Sequence, residues 1–203
     1  PAPKDDKEKR YQLLAHYGDQ VYQSIKAGNP DATWVMQGWM FGYQRNIWDK
    51  NSLGALVSKV PDDKMILLDL AADYNKHFWH NGMNWDFYGG FFNKQWVYSL
   101  IPNMGGKTGF TGRPDYYAKG SIEALRSKNK GRLAGFGFAP EGIENNEVIY
   151  ELLADMGWRD TEINLDQWLE NYSASRYGAC PPELTESWDL LRKSCYGSFT
   201  DHP

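Results

Sequence analysis

The sequence predicts an α/β fold: parallel strands alternating with helices, followed by a purely helical stretch. Two observations carry this. Four short runs, at residues 33–38, 64–70, 95–101 and 132–138, read as strands, and 64–70 is β-branched and aliphatic without alternation, as a strand covered on both faces should be. The segments between and after them mostly show apolar residues at helical spacing, and strand–helix alternation implies a parallel sheet with right-handed crossovers.

The elements follow in order. Over residues 5–28, Leu14, Tyr17, Val21 and Ile25 recur at helical spacing among charged residues, and Gly28-Asn29-Pro30 supplies a stop. After the strand at 33–38, residues 51–60 place Leu53, Leu56, Val57 and Val60 on one helical face before Pro61. Residues 64–70 are the clearest strand, and 95–101 the next. Between these two, the aromatic, Gly- and Asn-rich stretch 73–92 reads as a loop whose length points to function or a lid. A helix over 115–128 and the strand at 132–138 precede a helix over 145–156, capped by Asn145 and ended by Gly157. Two amphipathic helices, 164–177 and 182–196, close the chain, with Pro182 at a tolerated helix start and Gly178 and Gly197 as stops. Four strand–helix units do not close a barrel, which takes eight, and they leave the strands at 33–38 and 132–138 as edges.

Composition excludes several classes. The 203 residues carry 22 Lys+Arg against 26 Asp+Glu, a net charge of −4 with no basic tract, so the electrostatic footprint of a nucleic-acid binder is missing. The most apolar stretch, 65–72, is interrupted by Asp69 and falls short of the roughly 20 residues that span a bilayer. Two cysteines are too few for a disulfide scaffold or a cysteine zinc site. With a helix between them, Cys180 and Cys195 stand on the order of 20 Å apart, which predicts two free thiols. Pro1, with no initiator Met and no leader pattern, reads as a cut start. Aromatic residues make up 15%, including 9 Trp, enough for a large aromatic core and for rings that stack on sugars.

In an αβ-barrel the functional residues follow the C-terminal ends of the strands. That rule selects Gln37-Gly38-Trp39, Asp69-Leu70, Pro102-Asn103-Met104-Gly105-Gly106 and Ala139-Pro140-Glu141-Gly142-Ile143. Glu141, between Pro and Gly at a strand–helix junction, suits a nucleophile or general base. The competing reading makes it a cap for the following helix, whose N-terminus favours negative charge. Glu144 and Glu147 read as first-turn helix acids with a structural role. Residues 103–108 lack the GxxxxGK frame of a phosphate loop, and His77 with His80 lacks the partners of a metal site, so neither metal nor cofactor is expected.

Taken together in their order, these strand-end strings, with Leu67-Leu68-Asp69-Leu70, Val148-Ile149-Tyr150-Glu151-Leu152 and Met156-Gly157-Trp158, resemble the alpha-N-acetylglucosaminidases, the family-89 glycoside hydrolases. The resemblance runs from about Thr33 to Tyr177. It implies the C-terminal half of a TIM-type (α/β)8 barrel over residues 1–158, followed by the start of an α-helical domain over 159–203. It also implies a retaining exo-hydrolase that removes terminal alpha-linked N-acetylglucosamine from glycans such as heparan sulfate or mucin-type chains. The family nucleophile maps to Glu141. The family acid/base is the Glu of an Asn-Glu pair before the helix at 5–28; no such pair stands there, and Asn146-Glu147 is in the wrong place. The chain is thus expected to be a fragment without its acid/base and inactive by itself.

By the same matching Trp39, Asp69, Leu70, Ile101, Asn103 and Met104 line the sugar pocket. Pro102 and Lys107 stand where family members often carry His and Asn, which favours a secreted or periplasmic bacterial setting over the lysosomal one of the animal enzymes. Trp39 is expected at the pocket mouth, and Trp158, Trp168 and Trp188 in the core. A non-catalytic sugar-binding or assembly module is the alternative from a different class. The oligomeric state is not specified by the sequence.

Overall fold

The computed structural model describes residues 6–103, 105, 110–142 and 146–197. The chain divides into two units, Pro1–Ser99 with Ser127–Gly135, and Leu100–Arg126 with Phe136–Pro203.

In the first unit, helix α1 (Lys7–Gly28) starts at Asp6, whose carboxylate accepts from the Lys9 amide at 3.0 Å. Strands β1 (Trp34–Gln37), β2 (Met65–Asp69) and β3 (Gln95–Leu100) pair in parallel, Trp34 opposite Met65 and Ile66 opposite Gln95. With β4 (Arg132–Phe138) the sheet order is β1-β2-β3-β4. The edges are thus the two strands expected, and the edge strand β1 has Val35 exposed where β2 buries Met65 and Leu67 completely. Helix α2 (Trp39–Tyr43) follows β1 directly, and α3 (Lys50–Val57), capped by the Asp49 side chain, buries Leu53, Leu56 and Val57.

The expected loop at 73–92 is a correction. It contains helices α4 (Ala72–His77) and α5 (Asn84–Phe87), and its aromatic residues Tyr74, Trp85, Tyr88 and Phe91 are buried. The segment reads as loop because its helices are too short to show a period. Five consecutive residues, Gly89, Gly90, Phe91, Phe92 and Asn93, then adopt positive φ. This left-handed turn costs roughly 1–2 kcal/mol for each non-glycine member. Packing holds it: Phe91 is fully buried, and a Cβ on Gly90 would come within 2.6 Å of the Gly131 backbone.

In the second unit the expected helix at 115–128 is two, α6 (Pro114–Tyr117) and α7 (Gly120–Arg126), and α8 (Glu147–Met156) follows β4. The cap of α8 is Asn146; Asn145, expected in that role, lies outside the described residues. Helix α9 (Leu165–Tyr177) starts at an Asn164 cap and ends at Gly178 with φ of 86°, and α10 (Pro182–Lys193) stops three residues short of Tyr196. Arg192 on α10 clips three elements together, pairing with Asp115 at 2.6 Å and Asp166 at 2.5 Å, while Tyr196 donates to Asn146 at 2.9 Å. Trp188 is core, donating its indole N–H to Ser173 at 2.8 Å. Trp168 is half-buried with its N–H on Asp155, and Trp158, expected in the core, is 93% exposed. It follows Gly157 at the end of α8, beyond the helix face that faces inward. Cys180 and Cys195 are both free thiols.

Candidate active site

The site residues fall in both units, and each unit positions its own. In the first, Gly38 closes β1 by donating to the Leu68 carbonyl at 2.8 Å, which sets Trp39 as the first residue of α2 with 37% of its surface exposed. Asp69, the last residue of β2, is wholly buried. One of its oxygens, Oδ1, accepts from Asn84 Nδ2 at 2.9 Å; the other, Oδ2, is buried without a hydrogen-bond partner among the described residues. Asn84 in turn accepts from Arg45 Nη2 at 2.7 Å, which fixes the orientation of its amide. Arg45 also donates through Nε to the Phe41 carbonyl and lies 4.0 Å from the centre of the Phe87 ring.

Burial dominates the electrostatics here. Desolvation pushes the Asp69 carboxyl up to about 7, against the smaller pull of the Asn84 bond, the Arg45 charge and the Trp85 amide. It also lowers the Arg45 guanidinium, against the fields of Tyr88 and Asp69. Leu70 is buried, and Ala71 after it takes φ of 63°, so β2 turns sharply into α4.

In the second unit, β4 leads through Ala139, whose amide donates to the Leu100 carbonyl at 2.9 Å, into Pro140-Glu141-Gly142. The Asn103 carbonyl accepts from both the Glu141 amide at 2.8 Å and the Gly142 amide at 3.1 Å. Gly142 has no room for a side chain, since a Cβ there would stand 2.4 Å from Asn103 Nδ2. The Glu141 side chain is exposed, and its Oε2 accepts from the Gly105 amide at 3.2 Å. This settles the capping alternative: α8 begins six residues later at Glu147, and the Glu141 carboxylate is turned to Gly105. Glu147 pairs with Arg176, as does Glu151 at 3.1 Å, which is the structural role expected for a first-turn acid. Ile101 and Asn103 are both buried, and Asn103 Oδ1 has no hydrogen-bond partner among the described residues; Met104, Ile143 and Glu144 lie outside them.

Sequence reasoning selected the strand ends but missed Arg45 and Asn84. Arg45 stands in a polar run after α2 and Asn84 in the stretch taken for a loop, 39 residues away, so no local spacing connects them.

A carboxylate just past a strand, on a parallel sheet whose strands alternate with helices, stands where αβ-barrel enzymes carry their functional residues. The family model of the alpha-N-acetylglucosaminidase tim-barrel domain matches residues 3–160, and the chain belongs to that family. The human alpha-N-acetylglucosaminidase is 32% identical over 184 residues, 90% of this chain and 24% of the human protein. Among solved structures, the family 89 glycoside hydrolase of Clostridium perfringens, bound to 2-acetamido-1,2-dideoxynojirmycin, superposes with a TM-score of 0.74 at 26% identity over 93% of this chain and 19% of its own. A variant of the bacterial enzyme with two Glu-to-Gln substitutions, bound to its substrate GlcNAc-alpha-1,4-galactose, matches equally well. The fold is accordingly part of an α/β barrel. Among the described residues no helix is long and apolar enough to cross a membrane.

Proposed function

We propose that the protein to which these residues belong is a retaining exo-glycosidase that removes terminal alpha-linked N-acetylglucosamine from glycans, with Glu141 as nucleophile. The carrying observation is the Glu141 turn: an exposed carboxylate whose backbone is forked onto the Asn103 carbonyl and whose Oε2 is oriented by the Gly105 amide. In this reading the free lone pairs of the carboxylate attack the anomeric carbon as the bond to the leaving oxygen breaks. A second carboxyl gives that oxygen its proton, then takes one from the water that releases the sugar from Glu141. In a retaining enzyme the two carboxyls stand about 5–5.5 Å apart. The resemblance assigns the second to an Asn-Glu pair ahead of α1, which residues 1–203 do not contain.

Of the residues the resemblance assigns to the sugar, Trp39 offers a partly exposed ring, while Asp69, Leu70, Ile101 and Asn103 are buried. Residues 1–158 are read as barrel and 159–203 as the start of a helical domain, in a secreted or periplasmic protein, or a lysosomal one in an animal. Heparan sulfate and mucin-type chains are the natural substrate candidates. The test is Glu141→Gln in the full-length protein, assayed on an alpha-N-acetylglucosaminide, with the anomer of the first product read by NMR. Loss of turnover with retained sugar binding, and an alpha first product in the wild type, support the reading. Wild-type rates in the variant end it, and a wild type that binds the sugar without cleaving it favours the binding-module alternative.

A further inference from the structure

The first unit carries a row of aromatic rings that continues past Trp39, the ring that the reading above gives to the removed sugar. It starts at Trp39, passes to Tyr43 at 6.0 Å between ring centres, to Trp79 at 5.4 Å, and on to Tyr74 at 5.9 Å. The row climbs out of the core: Tyr74 is fully buried, Trp79 half-buried, Tyr43 56% exposed and Trp39 37% exposed. Two large rings standing side by side in solvent, when the core a few ångströms away is itself aromatic, call for a partner.

The backbone beneath the rings is fixed. Asn81 Nδ2 donates to the Gly42 carbonyl at 2.8 Å, tying the turn after α4 to α2, and the Trp79 amide donates to the Tyr74 carbonyl at 2.8 Å. Gly42 is needed at that contact, because a Cβ there would come within 1.6 Å of the buried Asn75 Oδ1. Asn75 in turn donates to the Ala71 carbonyl at 3.1 Å. Tyr43 and Trp79 are thus presented on two tied segments, at a spacing close to the length of one pyranose ring.

We propose that Tyr43 and Trp79 form a stacking strip for the leaving-group side of the substrate, the sugar units beyond the one removed, extending outward from Trp39. The inference rests on the glycosidase reading above. The chemistry selects pyranose rings, whose C–H faces stack on aromatic rings while their hydroxyls stay in water. A strip of aromatic faces offers no cation to a sulfate, so it suits a neutral glycan rather than a sulfated chain.

Two measurements on the full-length protein test this. The first is binding, by calorimetry, of a neutral galactose-terminated tetrasaccharide that lacks the terminal N-acetylglucosamine and so cannot be cleaved. The second is the ratio of kcat/KM for an alpha-N-acetylglucosamine-capped pentasaccharide to that for the disaccharide. Tyr43→Ala should lower both by about five- to tenfold, the scale of one lost stacking contact, and Tyr43→Phe should restore both, since stacking does not need the hydroxyl. Trp79→Ala should act alike. If its contact with Tyr74 makes that variant unstable, Tyr43, more than half exposed, carries the test.

Unchanged binding and an unchanged ratio in Tyr43→Ala overturn the strip. So does a change in sedimentation or partner association with glycan binding intact, which would make the rings a protein contact. A wild type that binds the tetrasaccharide through Tyr43 yet cleaves no alpha-N-acetylglucosaminide keeps the strip and removes the glycosidase reading. Cleavage of both lengths with no effect at Tyr43 does the reverse.

Discussion

Asp69 and Glu141 are both carboxylates at strand ends, one closing β2 and one three residues past β4, yet they are held in opposite ways. Asp69 is buried, with the Asn84 side chain and the Trp85 amide on its carboxylate and Arg45 behind Asn84. Glu141 is exposed, and the groups that hold it are the backbone of Asn103 and Gly105. A carboxylate that reacts with a substrate has to keep an open side, and Glu141 keeps one where Asp69 does not. On the proposed reading, the contrast sets a reacting group beside a framework group.

The largest effect that would sharpen this contrast is at Glu141. Glu141→Gln in the full-length protein should lower kcat on the order of 10⁴-fold or more. The melting temperature should hold, since substitution of an exposed side chain is usually within about 0.5 kcal/mol. A variant that loses stability along with activity would show Glu141 to be framework after all.

Asp69 should answer to pH. Burial pushes its carboxyl up to about 7 in the folded chain, from the ordinary aspartate value of about 4. Between those values the unfolded chain has lost the proton and the folded chain keeps it. Stability therefore falls as pH rises from about 4 to about 7 and then levels, by up to about 4 kcal/mol. Urea unfolding at intervals from pH 4 to 8 should show this slope in the wild type and its loss in Asp69→Asn; parallel curves for the two would refute it. Arg45→Met, which strands the Asn84 carbonyl oxygen, should cost about 1.5–3 kcal/mol in the same assay.

The Glu141 turn can be broken from its backbone. Gly142→Ala should cost about 1–3 kcal/mol and much of the activity, because the new methyl overlaps the Asn103 side chain. Gly105→Ala meets nothing closer than 3.7 Å and should be mild. Equal effects would mean that the Asn103 contact does not set the turn. Smallest of all, Trp158→Ala should stay within about 0.5 kcal/mol, whereas Trp188→Ala, which empties a buried site, should cost about 3–5 kcal/mol by thermal unfolding.

Local pattern determined much of this protein. The four strands fall at their apolar runs, β4 at the same residues, and α9 at its cap and stop signals, because period and capping are written in neighbouring residues. The position of Glu141 past β4 was legible too, since Pro140 and Gly142 punctuate the chain on either side. Tertiary structure alone decided what these residues meet. The split of the expected helix at 115–128, the short helices within 73–92 and the exposure of Trp158 escaped because aromatic and Gly-rich segments carry no period, and a Trp past a helix end has no face assigned to it. The pairing of Asp69 with Asn84 and of Asn84 with Arg45 joins residues 15 and 39 apart. Burial and partner choice over such separations arise from how elements pack, and that is where the carboxylate of β2 lost its solvent and the one past β4 kept it.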